Sequence, residues 1–340
     1  MKAYFVGPAG AVHFHPPDKE DVSMRRATIV ALALALGACT ASRTASTTGA
    51  ETTTHADVTT TTATTHPSFP VTVAAANGSV SIASQPHSIV SLSPTATEML
   101  YAIDAGDQIV AVDDQSNYPT DAPTTNLTGL SPNVEAIADY DPDLVVVSFD
   151  PGDLIPSLDA LGIPVLLQPA ATSLEDVYTQ IEQLGEATGH TDTAKRTITG
   201  MKARVADTYS RAGSGDELSY YFELDTTYFS VTSSTFIGEL LAPLGLRNIA
   251  DPADPDGYGY PQLSSEFIIG ADPDLILLAD TVCCGQNEDT VASRPGWDSL
   301  DAVTKGNIVV LNDDFASRWG PRVVDLLEAV GAAVREARNQ

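Results

Sequence analysis

Basic side chains are scarce: 17 Lys and Arg stand against 45 Asp and Glu in 340 residues, a net charge of −28. A phosphate backbone calls for clustered cations, so nucleic acid is a poor partner for this chain, and the acidic surface mainly indicates solubility. Histidine is rarer still where folding is expected, with only His87 and His190 beyond residue 67, which rules out a three-His zinc site. No Gly-x-Ser-x-Gly elbow, phosphate loop or Gly-x-Gly-x-x-Gly turn occurs, so the usual marks of serine hydrolases, nucleotide hydrolases and dinucleotide enzymes are missing. No catalytic cofactor is implied. The length leaves room for two ordinary domains and a tail.

No apolar run is long enough to span a bilayer permanently. Met24-Arg25-Arg26 followed by Ala27 to Leu36 has the charged and short apolar regions of a targeting segment. Leu36-Gly37-Ala38-Cys39 resembles the lipobox of bacterial lipoproteins, in which the cysteine becomes the acylated first residue. Residues 1–39 are therefore expected to be an upstream extension and lipoprotein signal peptide, starting at Met1 or Met24. Residues 40–67, dominated by Thr, Ala and Ser, cannot repay the entropy of ordering and are expected to form a flexible tether.

What the chain does contain is a repeat. Glu135-Ala136-Ile137, then Asp141-Pro142-Asp143-Leu144-Val145-Val146-Val147, is echoed by Glu266-Phe267-Ile268, then Asp272-Pro273-Asp274-Leu275-Ile276-Leu277-Leu278, with Glu135 and Glu266 standing 131 apart. Each copy predicts a short helix, a stop at Pro142 or Pro273, and a strand covered on both faces, hence a parallel sheet. Upstream, Ile89 to Leu92, a turn at Ser93-Pro94-Thr95 and a helix through Glu98 are answered by Tyr220 to Leu224, Ser233 to Thr235 and a helix through Glu239. Two α/β lobes of one plan follow. The expected bounds are 68–190 for the first lobe, 191–213 for a bridging helix and 214–340 for the second lobe. Ala194, Ile198, Met201, Val205 and Thr208 give the bridge its helical period. A hairpin turning at Asn77-Gly78 should lead in, and a helix from Pro321 to Arg338 should close the second lobe.

In open α/β sheets ligands bind beyond the carboxyl ends of the strands. That rule selects Ser93 and Thr95, Tyr118, Tyr228, Tyr258 and Tyr260, and the run Asp314, Arg318, Trp319 and Arg322, which together offer flat aromatic surface and forked donors. The pairs Asp113-Asp114 and Asp313-Asp314 also follow strands and raise the alternative of a secreted hydrolase with opposed carboxylates. Asp after a strand is more commonly a cap or turn residue. Cys283 and Cys284 are adjacent. With Cys39 lipidated they can pair only with each other, as a vicinal disulfide, or stay reduced.

From about His87 onward the chain resembles the periplasmic binding proteins that serve ABC importers of cobalamin and ferric siderophores. The carrying motifs are Ile89 to Glu98, Asn117-Tyr118-Pro119, Asn133 to Ile137, Asp141 to Leu144, Tyr260 to Glu266, and Asp314 to Arg322. The resemblance implies two Rossmann-like lobes with parallel sheets, joined by one long helix, with the ligand cleft between them. It implies a non-catalytic, lipid-anchored, extracytoplasmic receptor, monomeric, that hands a metal chelate to an ABC permease or signals its presence. By motif position Glu135 and Glu266 would be the permease-docking residues. Vitamin B12 binders are similar around Tyr118, Asp314, Arg318 and Arg322, but they carry tryptophans where this chain has Leu130-Ser131 and near Tyr260. Cobalamin and ferric siderophores both stay admissible as ligands, and haem is a weaker third.

Overall fold

In a computed structural model of the chain, residues 68–340 except 214 and 216 are described. The signal segment, Cys39 and the Thr-rich tether lie outside the described residues. Strands β1 (Val71–Ala75) and β2 (Gly78–Ile82) form an antiparallel hairpin. Strands β3 (Ile89–Leu92), β4 (Ile109–Val112), β5 (Leu144–Val147) and β6 (Val165–Leu167) form one parallel sheet in the order β4-β3-β5-β6. Strands β7 (Leu218–Glu223), β8 (Leu246–Asn248), β9 (Leu275–Leu278) and β10 (Ile308–Val310) form a second, in the equivalent order β8-β7-β9-β10. The repeat therefore extends to register: Ile89 pairs with Leu144 and Tyr220 with Leu275, both partners displaced by 131.

The helices of the first lobe are α1 (Pro94–Ala102), α2 (Val134–Ala138), α3 (Leu154–Asp159) and α4 (Leu174–Thr188), and α5 (Thr191–Ala212) is the bridge. In the second lobe α6 (Phe236–Leu241), α7 (Ser265–Ala271), α8 (Thr281–Cys284), α9 (Glu288–Ala292), α10 (Asp301–Thr304), α11 (Asp313–Ala316) and α12 (Val323–Ala337) follow. With 22 residues, α5 runs roughly 33 Å. It buries Ala194, Met201, Val205, Thr208 and Ala212 and stops at Gly213, whose φ of +71° is a conformation open chiefly to glycine.

The Asp-Pro-Asp motif has a structural reason that periodicity alone does not reveal. Asp141 and Asp272 sit at φ +49° and +43°, left-handed geometry that costs a non-glycine residue about 1 kcal/mol. The second Asp of each motif then holds the start of the central strand. Asp143 Oδ2 accepts the His87 and Ser88 N–H groups at 2.8 and 3.1 Å, and Asp274 Oδ2 accepts the Ser219 N–H and hydroxyl at 2.8 Å each.

Strand alternation sorts the apolar residues between cores. Leu144 and Val146, with Leu275 and Leu277, face one continuous core that also takes in Met99, Ile181, Met201 and Leu327. Val145 and Val147 face a separate cluster with Ile137 and Leu158, and Ile276 and Leu278 another with Trp297 and Leu300. Because the shared core includes side chains of both sheets and of α5 and α12, rotating the lobes apart would expose buried leucines, at about 1.5–3 kcal/mol each.

Three expectations are corrected. The hairpin turns at Ala76 and Asn77, one residue early, since Ala75 pairs with Gly78; Asn77 is drawn to the edge strand β6, donating to Val165 O at 2.9 Å and accepting from Leu167 N at 3.1 Å. Ser93-Pro94-Thr95 is not a free turn but the start of α1, with Ser93 as its N-cap. The last helix begins at Val323 rather than Pro321. Finally, residues 68–190 contain 17 Asp and Glu and no Lys or Arg, so every cation among the described residues belongs to α5 or the second lobe.

Candidate functional site

The two lobes meet at a buried ion cluster centred on Glu98, which motif reading had not selected as a site residue. Glu98 sits on α1 and is 3% exposed, and a carboxylate so placed must be paired. Its partners come from the second lobe. Arg318, 7% exposed, donates through Nη1 to Glu98 Oε1 at 2.7 Å, and Arg322 donates through Nε to Oε2 at 2.9 Å and through Nη2 to Oε1. Arg318 Nη2 also reaches Gln115 O at 3.0 Å and Asp314 Oδ1 at 2.9 Å, while Asn117 Nδ2 donates to Asp314 Oδ2 at 2.9 Å. The Arg322 guanidinium lies 4.0 Å from the centre of the Tyr118 ring. Thus Tyr118, Asp314, Arg318 and Arg322 are brought together, and Glu98 is the anion that assembles them. Gly320 leaves room for this approach: a Cβ there would stand 3.2 Å from Glu98 Oε2, tight enough to press the carboxylate by a few tenths of an ångström.

Beneath this seam runs a chain of hydroxyls. Ser116 donates to Asp113 Oδ1 at 2.6 Å, its oxygen lies 2.9 Å from Thr97 Oγ1, and Thr97 donates to Ser91 Oγ at 2.9 Å. Burial pushes the Asp113 carboxyl up to about 6, with Asp114 adding to the rise and the Ser116 hydroxyl opposing it. Ser93 and Thr95, expected to line the cleft, are instead buried; Ser93 Oγ is committed to the Ala96 N–H.

On the second lobe Tyr228 stacks on Trp297 with centroids 5.7 Å apart, and Arg294 covers Trp297 at 4.5 Å while its two terminal nitrogens hold the Glu223 carboxylate. Tyr258 and Tyr260 are 74% and 44% exposed, on a loop fixed by Asp254, which accepts the Tyr258 and Gly259 N–H groups at 2.9 and 2.6 Å. This loop follows β8 and the Tyr118 loop follows β4, equivalent strands of the two sheets. Trp319 is not a cleft wall. It is buried, and its indole N–H donates to Gln180 on α4 at 2.8 Å, because an indole with one donor to satisfy finds that acceptor in the interface.

The acidic pairs are largely structural. Asp313 accepts the backbone N–H groups of Thr281, Val282 and Cys283 at 2.8, 2.9 and 2.6 Å, holding α8, which carries the Cys283–Cys284 disulfide. Asp280 is fully buried beside Glu223, and among the described residues neither of its oxygens has a hydrogen-bond partner. Burial, reinforced by Glu223, pushes its carboxyl up to about 8. Folding therefore keeps a proton that the unfolded chain releases above about pH 4, and stability falls with rising pH from about 4 to about 8. Asp113 contributes in the same sense only up to about pH 6. Between pH 6 and 8 the wild-type protein should lose up to about 3 kcal/mol in urea denaturation, and Asp280→Asn should remove most of that slope. An unchanged slope would place the titrating group elsewhere.

Glu135 and Glu266 are exposed, each in the first turn of its helix, α2 and α7. Neither forms a salt bridge with any of the described residues. Among the described residues no helix is long and apolar enough to cross a membrane.

Comparison with known proteins agrees with this architecture. A Bacillus subtilis protein named as an uncharacterized ABC transporter substrate-binding lipoprotein is 31% identical over 277 residues, covering 78% of this chain and 86% of that protein. A Halobacterium salinarum protein named as a cobalamin-binding protein is 30% identical over 270 residues, covering 76% of this chain and 72% of its own length. Among solved structures, a periplasmic vitamin B12 binding protein of Vibrio cholerae matches with a TM-score of 0.62 at 24% identity, over 75% of this chain and 98% of that one. A periplasmic heme-binding protein from Roseiflexus matches at 0.64 and 24% identity, over 74% and 99%; at these identities the likeness shows the fold. The family described as periplasmic binding protein matches residues 89–315, and with that match the chain belongs to the periplasmic binding protein family.

Proposed function

We propose that the protein is an extracytoplasmic receptor, anchored by a lipid on Cys39, that captures a metal chelate between its lobes and delivers it to an ABC importer. The observation that carries the ligand assignment is electrostatic. Arg294, Arg318 and Arg322 all stand against carboxylates of Glu223, Glu98 and Asp314, while Asp113, Asp114 and Asp313 add negative charge. Such a site disfavours polyanionic ferric catecholates and the propionates of haem, and favours an uncharged or cationic chelate bound on the exposed rings of Tyr118, Tyr258 and Tyr260. Cobalamin fits that description, and the name of the Halobacterium relative supports it.

Titration of the purified protein with cyanocobalamin, ferric siderophores and haem, followed by tryptophan quenching, tests the reading. Saturable quenching by cyanocobalamin with Kd at or below about 1 μM, near −8 kcal/mol, is expected. Preferential binding of an anionic siderophore would overturn the ligand assignment. Turnover of a glycoside or phosphoester without any chelate binding would replace the receptor by the hydrolase alternative.

A further inference from the structure

The Cys283–Cys284 pair is unused by the proposed capture, yet its mounting ties it to the seam. Cys283 and Cys284 are exposed, and α8 is a single four-residue turn. The turn is tied chiefly to the Asp313 carboxylate, which gathers three consecutive N–H groups of residues 281–283; the Thr281 hydroxyl adds a bond to Leu311 O at 2.6 Å and Gln286 one to Cys284 O at 3.3 Å. Asp313 and Asp314 are neighbours in α11 and face opposite ways: one side chain holds the cysteine turn, the other bridges Asn117 and Arg318. A change in the turn thus has one peptide to cross before it reaches the contacts between lobes.

We propose that Cys283–Cys284 is a thiol–disulfide exchange site for a dithiol reductant, and that its state sets the order of the inter-lobe seam through Asp313 and Asp314. Exchange is open to it because both sulfurs belong to exposed residues and because adjacent Cα atoms, 3.8 Å apart, lie below the usual span of a disulfide, a class of bond that is readily reduced. In the exchange a thiolate of the reductant attacks one sulfur and the Cys283–Cys284 bond breaks, giving a mixed disulfide. The second thiol of the reductant closes its own disulfide, leaving both cysteines as thiols. Two electrons and two protons pass from the dithiol to the protein. The ring that locked the 283–284 peptide is then gone, the three N–H groups need no longer converge on Asp313, and α11 loses part of its support.

The test uses the intact protein with and without a dithiol reductant under native conditions. Alkylation followed by mass spectrometry should find no free thiol at 283 and 284 before reduction and two after. Amide hydrogen exchange should quicken at 281–286 and also at 312–318 and 115–118. The double variant Cys283→Ser, Cys284→Ser, both at exposed positions, should show the fast exchange pattern at all times and ignore the reductant. Two free thiols in protein purified without reductant, resistance to the dithiol, or faster exchange confined to 281–286 would each overturn the proposal. A weakening of cyanocobalamin affinity by about fivefold or more on reduction is the further expectation, and this readout alone rests on the proposed function. If no chelate binds in either state, that function fails while alkylation and hydrogen exchange still decide the exchange site.

Discussion

Glu98→Gln should lower the stability of the protein by about 3–5 kcal/mol, the range for breaking a buried pair from one side. The substitution keeps the shape of the side chain and removes only its charge. Three N–H donors from Arg318 and Arg322 converge on the carboxylate, so the change takes from both guanidinium groups the anion they share. Against a total of about 5–15 kcal/mol for a folded domain, this is a large fraction. Urea denaturation at neutral pH measures it, and a loss below about 1 kcal/mol would mean that the seam is solvated rather than sealed. Chelate affinity should fall too, since the Tyr118 ring is held in part by Arg322. Replacing the set together, as Glu98→Leu with Arg318→Met and Arg322→Leu, should restore part of the stability, because an apolar substitute of similar volume avoids the desolvation of all three charges.

Glu135→Arg combined with Glu266→Arg should reduce transport in a reconstituted importer by more than tenfold while leaving the chelate Kd unchanged. Both residues are exposed, and their loss from a first turn costs the helix only about 0.3–1 kcal/mol each, so the variant should fold. Uptake at the wild-type rate would remove the docking role from these two residues and leave them as helix-terminus charges. Loss of chelate binding along with uptake would instead mean that the reversal disturbs the cleft.

Local and periodic features were the legible part of this molecule. The 131-residue register, the buried β5 and β9 strands, the bridging helix ending at Gly213 and the loops bearing Tyr118, Tyr258 and Tyr260 all follow from short-range pattern, and the structure has them in place. What escaped was set by contacts between distant residues. Glu98 looked like one more helical residue because its arginines lie 220 and 224 positions away. Trp319 looked like a binding surface because nothing local announces its acceptor, Gln180, on another lobe. Ser93 and Thr95 were placed in the cleft by the strand-end rule, but Pro94 at the first helical position turns them into the start of α1 and buries them. Asp143 and Asp274 carried a visible motif whose purpose, fastening the neighbouring strand, needed the sheet order to be seen.

The cation-free stretch of the first lobe also decides where the molecule can be addressed chemically. Between Arg43 and Lys195 the chain has no Lys or Arg, so trypsin finds no bond to cleave there in any state of folding, and a digest carries the whole first lobe on one long peptide. Among the described residues amine-reactive dyes can reach only Lys195, Lys202 and Lys305. A fluorophore placed on one of these three lysines therefore marks the bridging helix or the second lobe, and a cross-link from one of those amines to a first-lobe carboxylate works as a ruler across the molecule.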